Sequence, residues 1–149
     1  MRIGAVLMAS GLALFASSAA ADKKPEIIGL NPAEFSWETT AEGVAFAALE
    51  GDRFQEQYFA MVRLPAGLVS PAHTKTAAMY GMVVSGALVN IPSDDEGTEE
   101  KPLRAGAYYK IPAGLPHISK CVSETDCVTL LYQDGAFDFL PITGQGAKQ

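Results

Sequence analysis

Gly106-Ala-Tyr-Tyr-Lys-Ile-Pro112-Ala-Gly114-Leu-Pro-His117 is the stretch whose reading decides the fold. A glycine opens a run of β-favouring residues, a Pro-x-Gly corner closes it, and a histidine follows. The proline presets the turn and the glycine accepts the backbone conformation a tight corner demands, so His117 is expected to point into the fold. Upstream, Gly67-Leu-Val-Ser-Pro-Ala-His73-Thr-Lys75 is followed by an apolar stretch ending at Gly86. The chain has two histidines, one in each of these runs.

Around them, β-like segments alternate with glycine and proline turn signals at residues 44–49, 58–64, 81–91, 108–111, 128–133 and 137–142. Short strands at regular spacing predict an all-β sandwich or small barrel. Beyond the N-terminal stretch, no segment sustains an apolar helical period over three turns, so almost no helix is expected. At 149 residues the chain supports one domain.

Residues 1–21 read as a signal peptide. Met1-Arg2 is a basic start, Ile3 to Ala16 is apolar, Ala19-Ala20-Ala21 supplies small residues for cleavage, and Asp22-Lys23-Lys24 is a sharp polar exit. That composition favours cleavage over a permanent anchor, and it predicts a periplasmic or secreted protein. Residues 22–36 then form a lead-in, 37–143 the barrel and 144–149 a tail. The net charge is −6 and no basic patch appears, which excludes a nucleic-acid partner because phosphate backbones would be repelled. No later apolar run is long enough to span a bilayer, so no membrane partner is expected after cleavage.

Cys121 and Cys127 flank Val-Ser-Glu-Thr-Asp, a turn-like run. In an oxidising compartment, two cysteines at opposed positions of a hairpin predict a disulfide. Two buried free thiols, or a reactive or metal-binding thiol, are the alternatives. The acidic run between Pro92 and Arg104 reads as a solvated loop, because it lacks the alternating pattern and closing glutamate of a calcium-binding EF-hand.

The two histidine-bearing runs resemble the two motifs of the cupin family. Gly67, His73 and Gly86 fit the first motif; Gly106, Pro112, Gly114 and His117 fit the second, whose final asparagine is replaced by Cys121. The resemblance implies a single-domain cupin, a jelly-roll barrel or double-stranded β-helix. The run Leu30-Asn-Pro-Ala-Glu-Phe-Ser-Trp37, Gly51-Asp52 and the tail Tyr132-Gln-Asp-Gly-Ala-Phe-Asp-Phe139 are similar to those of small exported bacterial cupins. The family pairs as dimers, so a homodimer is implied, and the need to cover sheet edges supports it.

The family's metal pocket uses His-x-His, a glutamate and the second-motif histidine. Residues two apart in a strand share a face about 7 Å apart, so such a pair can chelate one ion such as iron, manganese, nickel or zinc. Here Lys75 holds the second histidine position and Met79 the glutamate position. A three-histidine site is excluded by arithmetic, leaving His73 and His117 as a two-histidine metal site at most. His73, Met79, His117 and Cys121 are the ligand types of a blue-copper centre. Along an extended strand, however, His117 and Cys121 would lie about 13 Å apart, so only a Cu(I) site of His73, Met79 and His117 survives.

Lys75 reads either as an inward base or carboxylate-binding group, or as a lysine snorkelling to the barrel mouth, which is the expectation preferred. Tyr80 and Gln133 are candidate pocket linings beside Lys75 and Met79. Only one of Tyr108 and Tyr109 can look inward. Trp37 is expected to act as a lid or core anchor, and Gly81 and Gly86 to serve barrel curvature. Three functions follow: a small-molecule-binding cupin, a metal-dependent cupin enzyme of dioxygenase or isomerase type, or a structural and interaction module. The missing ligands favour the first.

Overall fold

The structure is a computed structural model describing residues 25–94 and 97–142. The stretch read as a signal peptide, residues 1–21, and the tail expected over residues 144–149 lie outside the described residues. Among the described residues, eleven strands follow one 3-10 turn, Pro32–Glu34: β1 (Trp37–Thr39), β2 (Ala45–Glu50), β3 (Tyr58–Leu64), β4 (His73–Thr74), β5 (Met79–Ser85), β6 (Ala87–Pro92), β7 (Leu103–Arg104), β8 (Tyr108–Ile111), β9 (His117–Cys121), β10 (Cys127–Gln133) and β11 (Leu140–Pro141). They form two antiparallel sheets, one ordered β1-β2-β3-β10-β5-β8 and the other β11-β4-β9-β6-β7.

Period-two burial explains the layering. In β10, Cys127, Thr129, Leu131 and Gln133 are buried while Val128, Leu130 and Tyr132 are half-buried on the opposite face. Of the inward set, Leu131 packs with Phe46, Tyr58, Ala60, Val62, Met79 and Ile111 into one apolar cluster. Truncating such a residue, as in Leu131→Ala, costs about 2–5 kcal/mol in a close-packed core.

Residues 81–91, expected as one strand, are two. Gly86 sits at φ +79 between β5 and β6 and hands the chain from one sheet to the other. A left-handed backbone is readily adopted by glycine alone. Gly81 has a different reason: it pairs directly with Tyr109 on β8, and an added Cβ would lie 2.2 Å from the Tyr109 ring. Cross-strand contact with the half-buried tyrosine, not curvature, requires the glycine. Tyr109 is the inward member of its pair, bonded to Thr129 at 3.4 Å, while Tyr108 is 62% exposed.

The strand expected over residues 137–142 shrinks to Leu140–Pro141, because the preceding segment crosses the end of the barrel instead of joining a ladder. Cys121 and Cys127 do lie at disulfide distance, with Cα atoms 5.7 Å apart. They are not opposed positions of one hairpin, because β9 and β10 belong to different sheets. The link therefore joins the two layers. Trp37 lies on the outer face of the larger sheet, in a groove with Val84 and Val128, and carries the Arg63 guanidinium 4.0 Å above its ring. It is neither a lid nor part of the central cluster.

Candidate functional site

Two turns bring the sequence motifs together. Pro112-Ala-Gly114-Leu115 closes with the Leu115 N–H donating to the Pro112 carbonyl, and Gly114 takes φ +73 as the third turn residue must. The Gly114 N–H then donates to the Lys75 carbonyl at 2.8 Å, tying the second motif to the first. With that register, His73 on β4 is the direct partner of His117 on β9.

The two imidazoles are buried, with ring centroids 4.2 Å apart. Each ring commits Nδ1 to a carbonyl two residues back, His73 to Pro71 and His117 to Leu115, both at 2.9 Å. A carbonyl can only accept, so each Nδ1 bears the proton and each Nε2 presents a lone pair. The His117 Nε2 is fully buried and has no hydrogen-bond partner. Burial is the main force pushing the His73 pKa down to about 4, with the His117 and Lys75 charges adding to it against the Pro71 carbonyl. Burial also lowers His117, helped by Lys75 and opposed by the Leu115 carbonyl. Both rings are neutral at pH 7.

Lys75 does not snorkel. It is 7% exposed, donates from Nζ to the Asp138 carbonyl, and sits 4.2 Å from the centroid of Phe137. Burial lowers its pKa to about 8 while the Asp138 charge opposes the shift. Snorkelling fails because residues 134–139 run across the end of the barrel and cover the ammonium.

That strap is laced down by polar bonds. Asp134 Oδ1 accepts from the Ala78 N–H at 2.7 Å, Gln133 Nε2 donates to the Ala136 carbonyl at 2.7 Å, and both Asp138 carboxylate oxygens accept from the Thr76 N–H. Gln133 also accepts from the Tyr58 hydroxyl at 3.3 Å, so this buried amide pins the strap to β3. At its far end, Phe139 stacks on His73 with centroids 4.1 Å apart and planes 20° from parallel.

The structure thus brings His73, Lys75 and His117 together and holds Gln133 behind the strap. Met79 belongs to the apolar cluster. Tyr80 is a correction: its ring lies on the outer face, 5.9 Å from Tyr132 with Lys110 5.2 Å over it, because it alternates with the inward Met79. Phe137, Asp138 and Phe139 were missed as site residues. Their signal was the Phe-x-Phe spacing, which places two aromatic rings on one face of an extended segment.

The donors do not fit a three-histidine, one-glutamate metal centre. The third position is a cation and the fourth a core thioether. Among the described residues, no three His, Cys, Asp or Glu side chains are grouped to hold an ion. Cys121, at disulfide distance from Cys127, offers no thiolate.

Two antiparallel sheets closing on an inward histidine pair define a cupin fold, and solved cupin-fold structures superpose on it. An RmlC-like cupin from Shewanella frigidimarina aligns with a TM-score of 0.58 at 16% identity, covering 73% of this chain and 91% of the other. The polyketide cyclase RemF from Streptomyces resistomycificus aligns at 0.64 and 13% identity, covering 81% and 89%. An oxalate oxidase aligns at 0.58 and 19% identity, covering 84% and 68%. Residues 20–146 match the domain of unknown function DUF4437, and the chain belongs to that cupin-like family. No curated protein matches it by sequence.

Proposed function

We propose that this chain is an exported small-molecule-binding cupin whose ligand is held at the barrel mouth by His73, Lys75 and His117. The carrying observation is the His117 Nε2, a buried acceptor with no partner. Leaving such an atom unpaired costs about 1–3 kcal/mol, a cost a ligand donor relieves. Export rests on the composition of residues 1–21. A homodimer is part of the proposal, supported by Phe59, Met82, Val84 and Tyr108, large apolar residues exposed on the larger sheet; sedimentation of the purified protein tests it.

Native mass spectrometry of protein purified from its own compartment tests the binding reading. A co-purifying small molecule that is lost in both His73→Gln and His117→Gln supports it. A chain that carries none, and whose histidine NMR signals no library compound moves, refutes it.

A second reading, a metal-dependent cupin enzyme, is favoured by one observation. Both Nδ1 atoms are engaged with carbonyls, which leaves neutral Nε2 lone pairs in the form transition metals take. Two histidines would then hold iron, manganese, nickel, zinc or Cu(I), with water or ligand atoms completing the shell. Elemental analysis decides it: stoichiometric metal that disappears in His73→Ala and in His117→Ala supports the enzyme.

A further inference from the structure

The barrel mouth holds a cation that no carboxylate contacts, although the Asp138 charge acts on it through space. Among the described residues, the ion pairs are Arg53–Glu38 and Lys120–Glu100, and neither involves Lys75. The nearby Asp138 carboxylate is turned to the Thr76 N–H at 3.1 and 3.2 Å, so Lys75 Nζ touches a neutral carbonyl and the face of Phe137, with the Phe139 ring 5.8 Å away. A chain with 17 acidic against 11 basic residues has carboxylates to spare. Burying a lysine without one leaves a place for an anion from outside.

Beside that cation, the strap presents a shape. The Asp138 carbonyl oxygen occupies the ammonium, and the Phe139 ring occupies the face of His73. Between that carbonyl carbon and that ring lie three atoms, the Phe139 nitrogen, Cα and Cβ. The carbonyl oxygen stands in for a carboxylate oxygen, and the phenyl ring for the flat body of a ligand. Phe139 keeps 37% exposure, so its ring sits at the open end of the site. The unpartnered His117 Nε2 lies next to the stack and is an independent sign that a ligand completes the cluster.

We propose that His73, Lys75 and His117 bind a small carboxylate carrying a planar ring, and that Asp138–Phe139 occupies its place when it is absent. The ligand's carboxylate takes Lys75 from the Asp138 carbonyl, and its ring takes the His73 face from Phe139. This deepens, and rests on, the small-molecule reading above.

The test uses 4-phenylbutanoate, whose carboxyl carbon and ring are separated by the same three-atom spacer. Its neutral amide and ring-free butanoate serve as controls. The full chain is titrated at pH 7 with a chelator present, which removes metal-mediated binding. Its two histidines give a simple ring-proton NMR spectrum, assigned with His73→Gln and His117→Gln. The acid is expected to shift both histidines saturably, while the amide and butanoate shift neither at the same concentration. Lys75→Met should weaken the acid at least about tenfold, and Phe139→Ala should tighten it by about tenfold as the internal competitor is lost. Equal binding of acid and amide overturns the carboxylate proposal while leaving a pocket in place, and needs no variant to fold. If the acid moves neither histidine in the native chain or in Phe139→Ala, the proposal also fails. Neutral library compounds then separate the cases: any that shift the histidines preserve the small-molecule reading, and none doing so removes both.

Discussion

His73 and His117 face each other across the β4–β9 ladder, ring centroids 4.2 Å apart, each giving its Nδ1 proton to a carbonyl two residues back. Two neutral imidazoles in contact make protonation of either one costly, and the stability of the fold should register it.

Burial holds His73 at about pH 4 against an ordinary value of 6.5. Above pH 6.5 the ring is neutral in both folded and unfolded chains and contributes no pH dependence. Between 6.5 and 4 the unfolded chain takes up a proton that the folded chain refuses, so unfolding free energy falls as pH drops. At about 1.4 kcal/mol per unit, the loss reaches about 3 kcal/mol at most. Urea melts at pH 7.0, 5.5 and 4.5 measure it. His73→Gln should flatten the slope across that window; an unchanged slope would show that other groups carry it.

Lys75→Met should be more stable than the native chain at pH 7. Lys75 is lowered to about 8 from 10.5 by burial, against the opposing Asp138 charge. Between those values the unfolded chain binds the proton that the folded chain releases, so stability rises with pH from 8 to 10.5. Below 8 the buried charge is a standing penalty. Methionine fills the same volume without it, for a gain of about 1–3 kcal/mol. Guanidinium melts at pH 7 check the sign. A destabilised variant would mean that the bond to the Asp138 carbonyl outweighs the buried charge.

Gly81→Ala should cost about 1–3 kcal/mol, the usual range for overpacking a full core. The new Cβ would meet the Tyr109 ring at 2.2 Å and displace it from its contact with Thr129. Gly81→Ala combined with Tyr109→Leu should lose less than the sum of the two single changes, because the clash needs both partners. Additive losses in a thermal-melt cycle would rule out the contact as the reason for the glycine.

Replacing both Cys121 and Cys127 by serine opens a short loop between the two sheets, with an expected loss of about 2 kcal/mol. Melts with and without reductant provide the control: reductant should lower the native midpoint to near that of the double variant and leave the variant unmoved.

Much of the fold was legible in the chain. Gly106 to His117 carries its turn in its own residues: proline and glycine act over three or four positions, and β10 announces its two faces by alternation. The strand break at Gly86 was less legible, because an apolar run reads the same whether it continues or changes sheets. Half of the site was legible for the same local reason: each histidine follows a proline-containing turn that aims it inward. Lys75 was misread because its surroundings come from residues more than sixty positions later. Tyr80 was misread because one step along a strand reverses the face.

By itself, the sequence determined the all-β barrel, the two inward histidines and the absence of a full three-histidine donor set. These follow from local turn chemistry, alternation and counting. Only the tertiary structure decided that the cysteines join two sheets and that Tyr80 faces outward. It alone decided that a strap ending in Phe139 closes over Lys75 and His73. Those facts depend on which distant segments come to lie together, and packing across the barrel sets that, not the preferences of neighbouring residues.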